Sequence, residues 1–165
     1  MTEPRWLTTD EREAWLRLMA VTMLLPSRLE AQLKRDAGLT HFEYYVLAMI
    51  SESPGKSMAL TQLAARTNAS LSRLSHVIGR LEVQGLLTRC ASPRDGRTSL
   101  ATLTDAGWAK VVASAPGHVE EVRTVVLDPL SARQVAQLSD ICGRLLATLD
   151  PDHGLLGLDS GRPAG

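Results

Sequence analysis

The feature that most restricts the fold of this chain is a change of hydrophobic period at Gly85. Before that glycine, apolar side chains recur at three- and four-residue steps, the spacing of one helix face. Beyond it, Leu86-Leu87-Thr88-Arg89-Cys90 and Ser99-Leu100-Ala101-Thr102-Leu103 read as two short strands. Between them, Ser92-Pro93-Arg94-Asp95-Gly96-Arg97 contains an Asp-Gly pair, which suits the positive φ angles of a tight hairpin. A helical segment feeding an arginine-bearing hairpin leaves few architectures open.

Upstream of Gly85, Thr67-Asn68-Ala69-Ser70 is a turn between two helices, and Ser70 is a good N-cap for the second of them. On that helix Leu74, Val77, Ile78 and Leu81 face inward, while Ser72, Arg73, Ser75, His76 and Arg80 point outward. Gly79 in its interior is a local fault worth about 1 kcal/mol against alanine. The shorter preceding helix is expected from Gln62 to about Arg66, capped by Thr61.

Earlier still, Thr40 and Glu43 form a capping box for a helix through Val46, Leu47, Met49 and Ile50, stopped at Ser53-Pro54-Gly55. Thr8 with Glu11, or Asp10 with Glu13, opens a first helix bearing Trp15, Met19, Met23, Leu29 and Leu33. Pro26 is expected to kink or divide it, and Gly38 to close it. Thr104 caps a fifth helix with a kink at Pro116-Gly117. Ser131 with Gln134 opens a sixth, carrying Val135, Leu138, Ile141, Cys142, Leu145 and Leu149.

The resulting fold class is mainly α with a small β-hairpin wing: a winged helix-turn-helix lobe over 40–103, flanked by a helical dimerisation region over 8–37 and 104–149. The Gly-, Asp- and Pro-rich tail, 150–165, reads as flexible.

The net charge of zero argues against nucleic acid until its distribution is considered. Residues 56–97 carry Lys56, Arg66, Arg73, Arg80, Arg89, Arg94 and Arg97 against Glu82 and Asp95, a net charge of +5 between acidic flanks. All six aromatic residues, Trp6, Trp15, Phe42, Tyr44, Tyr45 and Trp108, lie outside the stretch 46–107. Single-strand and RNA binders stack bases on aromatic rings. The basic segment has none, which favours duplex DNA.

In a winged helix-turn-helix the second helix of the turn enters the major groove and the hairpin follows the adjacent minor groove. Ser70, Ser72, Arg73, Ser75 and His76 stand where base edges and phosphates come within reach, with Thr61 on the preceding helix. The Arg73 fork matches the two acceptors of guanine. Arg80 suits a phosphate or an internal acid. At the wing, Arg97 is the cation for a narrow minor groove, with Arg94 beside it and Asp95 bracing an arginine or closing the turn.

These residues carry a resemblance to the MarR family, the multiple-antibiotic-resistance type of bacterial repressor. The matching text is Leu63-Ala64, Ser70-x-Ser72, Arg80-Leu81-Glu82-x-x-Gly85-Leu86-Leu87-x-Arg89, Ser92-Pro93-x-Asp95-x-Arg97 and Leu103-Thr104-x-x-Gly107, within roughly 8–149. Trp6-Leu7 with Glu11 and Trp15 resembles an actinobacterial-looking branch. Gly79 departs from the pattern, standing where a longer polar residue is common.

Composition makes the cytoplasm the expected compartment, and the resemblance implies a homodimer whose first, fifth and sixth helices intertwine, placing two recognition helices about one DNA turn apart on a palindromic operator. The apolar stripes of 111–149 fit that arrangement, since a lone lobe is too small to cover them. The resemblance also implies a small aromatic or anionic effector between the dimer helices and the lobe. Trp6, Trp15, Tyr44, Tyr45 and His118 are the candidates for its site, with dimer-interface core as their other explanation.

Two further function classes stay open: an orphan regulator without an inducer, and a protein-interaction module that uses the basic surface on an acidic partner. Cys90 and Cys142 read as small buried hydrophobes rather than peroxide sensors. His41, His76, His118 and His153 lack paired metal-ligand spacing, so no metal or cofactor is expected. No hydrolase, phosphate-loop or zinc-protease motif suggests an enzyme. No apolar run reaches the ~18 residues of a membrane span, and the first residues lack a secretion signal.

Overall fold

The structure, a computed structural model, describes residues 3–91, 98–151 and 155. Its elements are α1 (Thr9–Ala37), α2 (His41–Ser51), β1 (Ser57–Ala59), α3 (Leu60–Arg66), α4 (Leu71–Val83), β2 (Leu87–Ala91), β3 (Ser99–Leu103), α5 (Asp105–Val122) and α6 (Ala132–Leu149). One π-helical turn, Arg123–Leu127, prolongs α5. The fold is thus mainly helical with a small antiparallel sheet.

Local chemistry sets most of the boundaries. Full capping boxes open α1 (Thr8 with Glu11), α2 (Thr40 with Glu43) and α6 (Ser131 with Gln134). Each satisfies two backbone donors that the first helical turn would leave bare. Gly38 closes α1 at φ 65°, and Gly85 ends the chain's excursion from α4 at φ 72°, both in the left-handed region that glycine enters without steric cost.

Pro26 does not divide α1, which runs as one helix through it. A proline deletes a single intrahelical donor, and the turns on either side keep theirs. Pro116 likewise lies inside a continuous α5, where Gly117 has a different use. A Cβ there would lie 3.3 Å from Gln32 Nε2, so the glycine lets α5 close onto α1.

The sheet has three strands in the order β1-β3-β2, all antiparallel. The hairpin expected from sequence is the β2–β3 pair, with Leu87 opposite Leu103 and Ala91 opposite Ser99. The third strand, β1, pairs Ser57 with Thr102 and Ala59 with Leu100. It was not foreseen, because three residues are too few to show a two-residue period. Ser57 and Thr102 also share a side-chain hydrogen bond of 2.8 Å.

The core lies inside the lobe and its junction with α1 and α5. Leu33, Leu39, Val46, Leu47, Ile50, Leu63, Leu74, Ile78, Leu81 and Leu87 are all but fully buried, and Val111 joins them from α5. Outside this core the chain is apolar but uncovered. On α1, Trp15, Leu16, Val21, Met23 and Leu24 are exposed, as are Val112 and Val119 on α5 and Leu138, Ile141, Leu145 and Leu149 on α6. No residue of α6 is buried. An apolar groove of 640 Å³ runs between α1, the π turn and α6, with Val21, Leu24, Val125, Val126, Leu130 and Leu138 in its walls.

Two sequence expectations are corrected here. Cys90 and Cys142 are both exposed rather than buried. On β2 only Leu87 faces the core, and Cys90 lies on the uncovered part of that strand. Cys142 follows its helix, whose apolar side is left largely uncovered within a single chain. The tail from 150 falls outside the described residues except for Asp150, Pro151 and Leu155. Among the described residues, no helix is long and apolar enough to cross a membrane, and no group of three metal-ligating side chains occurs.

Gly79 offers a first test. A Cβ built there meets nothing within 4 Å. Gly79→Ala should therefore stabilise the protein by about 0.5–1 kcal/mol, the helix-propensity difference, read as a raised urea midpoint. A lower midpoint would mean that α4 has less room at this point than its geometry indicates.

Candidate nucleic-acid interface

The helix-turn-helix is built from α3, the turn Thr67–Ser70 and α4. Thr67 Oγ1 donates to the Leu63 carbonyl at 2.8 Å, and Asn68 takes the left-handed conformation at φ 47° that lets the chain reverse. Ser70 Oγ then accepts the Arg73 N–H at 3.2 Å and caps α4. The start of α3 differs from expectation. Its N-cap is Ala59 and its first residue Leu60, so Thr61 lies within the first turn, exposed, and caps nothing. Leu60 is buried in the core, and that packing begins the helix two residues earlier than a Thr61 cap would.

On α4 the inward set Leu74, Val77, Ile78 and Leu81 is buried as the helical period requires. Ser70, Ser72, Arg73, Ser75, His76 and Arg80 are all exposed. The structure therefore gathers six of the candidate DNA contacts on one surface, with Thr61 exposed on the neighbouring helix. A cleft of 590 Å³ runs under this surface between α1, α2 and α4, lined among others by Glu30, Phe42, Ser72, Arg73, His76 and Arg80.

The two arginines of α4 are held in different ways, both by the first turn of α2. Arg80 meets an internal acid: its Nη2 lies 3.1 Å, and its Nε 3.2 Å, from Oε1 of the buried Glu43. The other Glu43 oxygen accepts the Thr40 N–H at 2.9 Å, so one carboxylate both caps α2 and tethers α4. Arg73 sits instead over the Phe42 ring, 4.3 Å from its centroid, with no acidic partner among the described residues. Sequence reasoning missed both Phe42 and Glu43 as partners of α4. Only the capping box marked Glu43, and nothing in the sequence marked Phe42.

On the hairpin, Arg89 of β2 pairs with Glu82 of α4 at 2.9 Å, joining the wing's base to the recognition helix. Its tip, with Arg94, Asp95 and Arg97, lies outside the described residues.

This architecture has close counterparts. A model of the MarR family matches residues 37–98. Sco3205, a MarR family transcriptional regulator from Streptomyces coelicolor crystallised in complex with DNA, is similar at a TM-score of 0.87 and 39% identity, over 92% of this chain and 94% of that one. The chain belongs to the MarR family. AbsC, another MarR family transcriptional regulator from Streptomyces coelicolor, gives a TM-score of 0.85 at 36% identity, over 88% of this chain and 98% of AbsC. Rv2887, an HTH-type transcriptional repressor of Mycobacterium tuberculosis, is 34% identical over 108 residues, 66% of this chain and 76% of that protein. This MarR family chain is accordingly a DNA-binding transcriptional regulator, in a family of regulators rather than enzymes.

The five residues considered for an effector are only partly united. Tyr44 of α2 and His118 of α5 are ring partners, with centroids 4.6 Å apart, and His41 stands 6.0 Å from His118. Tyr45 is turned elsewhere, its hydroxyl donating to the Arg66 carbonyl at 3.4 Å. Trp6 and Trp15 are exposed and make no ring contact with the others among the described residues. Sequence reasoning did not include His41 in this group. At this junction of the MarR lobe with α1 and α5, Gln32 Oε1 and His118 Nδ1 are buried without a hydrogen-bond partner among the described residues.

Burial lowers the pKa of His118, and the neighbouring His41 lowers it further. Burial also lowers that of His41, against the opposing charge of Glu30. Unfolded histidine titrates near ~6.5. Below that pH the unfolded chain takes up protons that these imidazoles refuse in the folded state. Their stabilising effect is therefore complete above ~6.5 and is lost as pH falls toward the folded values. The urea midpoint should rise between about pH 5 and about pH 7 and then level off, and His118→Gln should flatten part of that slope. A wild-type midpoint constant across this window would show that neither ring is kept neutral by burial. Glu30 and Asp36, whose pKa values are lowered by hydrogen bonds with Lys34 and Gln32 respectively as the leading cause, act at lower pH.

Proposed function

We propose that this regulator is a homodimeric repressor that reads a palindromic duplex operator and releases it when a small aromatic or anionic effector binds. The observation that carries the DNA-reading part is the outer face of α4. Polar and basic side chains stand exposed there over a fully apolar inner face, and the Arg73 guanidinium has no hydrogen-bond or acidic partner among the described residues. Ser72, Arg73 and His76 read base edges in the major groove. Ser70, Ser75 and Thr61 meet phosphates, and Arg80 offers a phosphate the part of its guanidinium that Glu43 leaves free. Arg97, with Arg94 and Asp95 beside it, enters the minor groove; this assignment rests on the sequence.

The homodimer is supported by the uncovered apolar faces of α1, α5 and α6, too extensive for a solvated surface. Repression is supported by the similarity to Rv2887, an HTH-type transcriptional repressor. Effector release is supported by the junction around Tyr44 and His118, where two buried polar atoms lack partners beside an aromatic pair. An effector acts only through a difference in affinity between the DNA-fitting and misfitting lobe spacings.

The test is binding to duplexes selected by the protein from a randomised pool, at two salt concentrations. Affinity for the selected site should fall by about two orders of magnitude or more between about 50 and about 200 mM salt, and should exceed that for random DNA by about a thousandfold. Absence of any sequence preference would favour the protein-interaction module. Operator affinity that stays constant through a titration of phenols and aromatic acids would leave an orphan regulator.

A further inference from the structure

An arginine that reads guanine must keep its N–H edge free, yet an unrestrained exposed arginine loses its rotamer freedom when DNA fixes it. A carboxylate partner removes that freedom but occupies donors, as Glu43 does to Nε and Nη2 of Arg80. An aromatic face restrains the guanidinium through its π cloud and occupies none of the five donors. The structure places such a face beneath Arg73, 4.3 Å from the Phe42 ring centroid.

The ring is itself firmly placed. Phe42 is half-buried and packs on the lobe core. It follows His41, whose N–H donates to Glu30 of α1 at 2.6 Å, and precedes Glu43, which closes the capping box of α2. The first turn of α2 is thus anchored on both sides of the ring. In sequence the basic segment lacks aromatics; the fold brings one in from outside it, with its face spent on an arginine rather than open to a base.

We propose that Phe42 is a positioning residue for sequence readout, holding the Arg73 guanidinium for a base while leaving all its hydrogen-bond donors available. This rests on the reading of Arg73 as a base contact given above. Its consequence is that operator preference depends on the electrons of one ring that never touches DNA, whereas general affinity for DNA does not.

Phe42 is the one phenylalanine of the chain, so residue-wide incorporation of a fluorinated phenylalanine alters this position alone. Fluorine drains the ring face of negative charge while nearly preserving its shape. The experiment compares protein carrying phenylalanine, monofluoro-, difluoro- and trifluorophenylalanine, each with Arg73 intact and as Arg73→Ala. Affinities are measured for the pool-selected operator and for a scrambled duplex, with a thermal melt of each preparation.

With Arg73 intact, the ratio of operator to scrambled affinity should fall stepwise with fluorine number, by about three- to tenfold in all. The scrambled-DNA affinity and the melting midpoint should stay level. In Arg73→Ala the series should be flat. A constant ratio with Arg73 intact, or an equal decline in both backgrounds, overturns the proposal for Phe42 and leaves the base contact standing. If Arg73→Ala itself leaves the ratio unchanged, the base contact falls and the role of Phe42 with it. Phe42→Leu supplies bulk without a π face and should reproduce the trifluoro result, while Phe42→Tyr should restore the wild-type ratio.

Discussion

Gly107→Ala is expected to destabilise the protein by about 3 kcal/mol, lowering the thermal midpoint by about 10 °C. The glycine lies in the first turn of α5, where its N–H donates to the Thr104 cap at 3.0 Å. A Cβ there would sit 2.0 Å from the Leu86 carbonyl oxygen, 2.9 Å from its carbon and 3.0 Å from Leu103 Cδ2. Only the last of these is the far end of a flexible side chain. The Leu86 peptide is pinned from two sides, because its carbonyl accepts the Thr104 N–H at 3.2 Å and its own N–H donates to Leu81 at 2.9 Å. The strain must therefore move α5 away from the start of β2, which puts the cost at the upper end of the overpacking range. Scanning calorimetry of Gly107→Ala beside Gly79→Ala checks both, since the two Gly-to-Ala changes should shift the midpoint in opposite directions. A Gly107→Ala midpoint within about 2 °C of wild type would show that this junction yields.

Arg73→Ala should have the largest effect on recognition. Losing a bidentate contact to guanine removes about 1–3 kcal/mol of discrimination at one base pair in each half-site, a tenfold or greater drop in preference there. Affinity for random DNA should change far less. Arg97→Ala should do the reverse, weakening binding across sequences and reducing its salt dependence by about one unit of slope. Binding to a panel of single-base-pair operator variants separates the two. Equal small losses from both substitutions would remove the division between a reading helix and a gripping wing.

The parts of this molecule that were legible in its sequence are those decided by neighbours in the chain. Capping boxes at Thr8, Thr40 and Ser131 each need one residue and another three positions on, and all three are formed. The inward stripe of α4 follows from its period alone. What stayed hidden depends on distant partners. β1 exists because β3 offers it a free edge, and nothing in Ser57–Ala59 announces that. Glu43 reaches Arg80 across 37 positions. Thr61 had the chemistry of a cap but not the position, because burial of Leu60 determines where α3 begins. Exposure of Cys90 and Cys142 was misjudged for a related reason: an apolar neighbourhood in sequence does not ensure a cover in space.

The uncovered apolar face of α1, α5 and α6 has a consequence for how the regulator responds to its own supply. On the homodimeric reading, each newly made chain carries a surface that only another copy can shield, so unpaired chains are the ones open to proteolysis and aggregation. Operator occupancy then rises with roughly the square of copy number when chains are scarce. A cell that halves its synthesis loses more than half of its silencing, and modest changes in expression act as a threshold even without any effector.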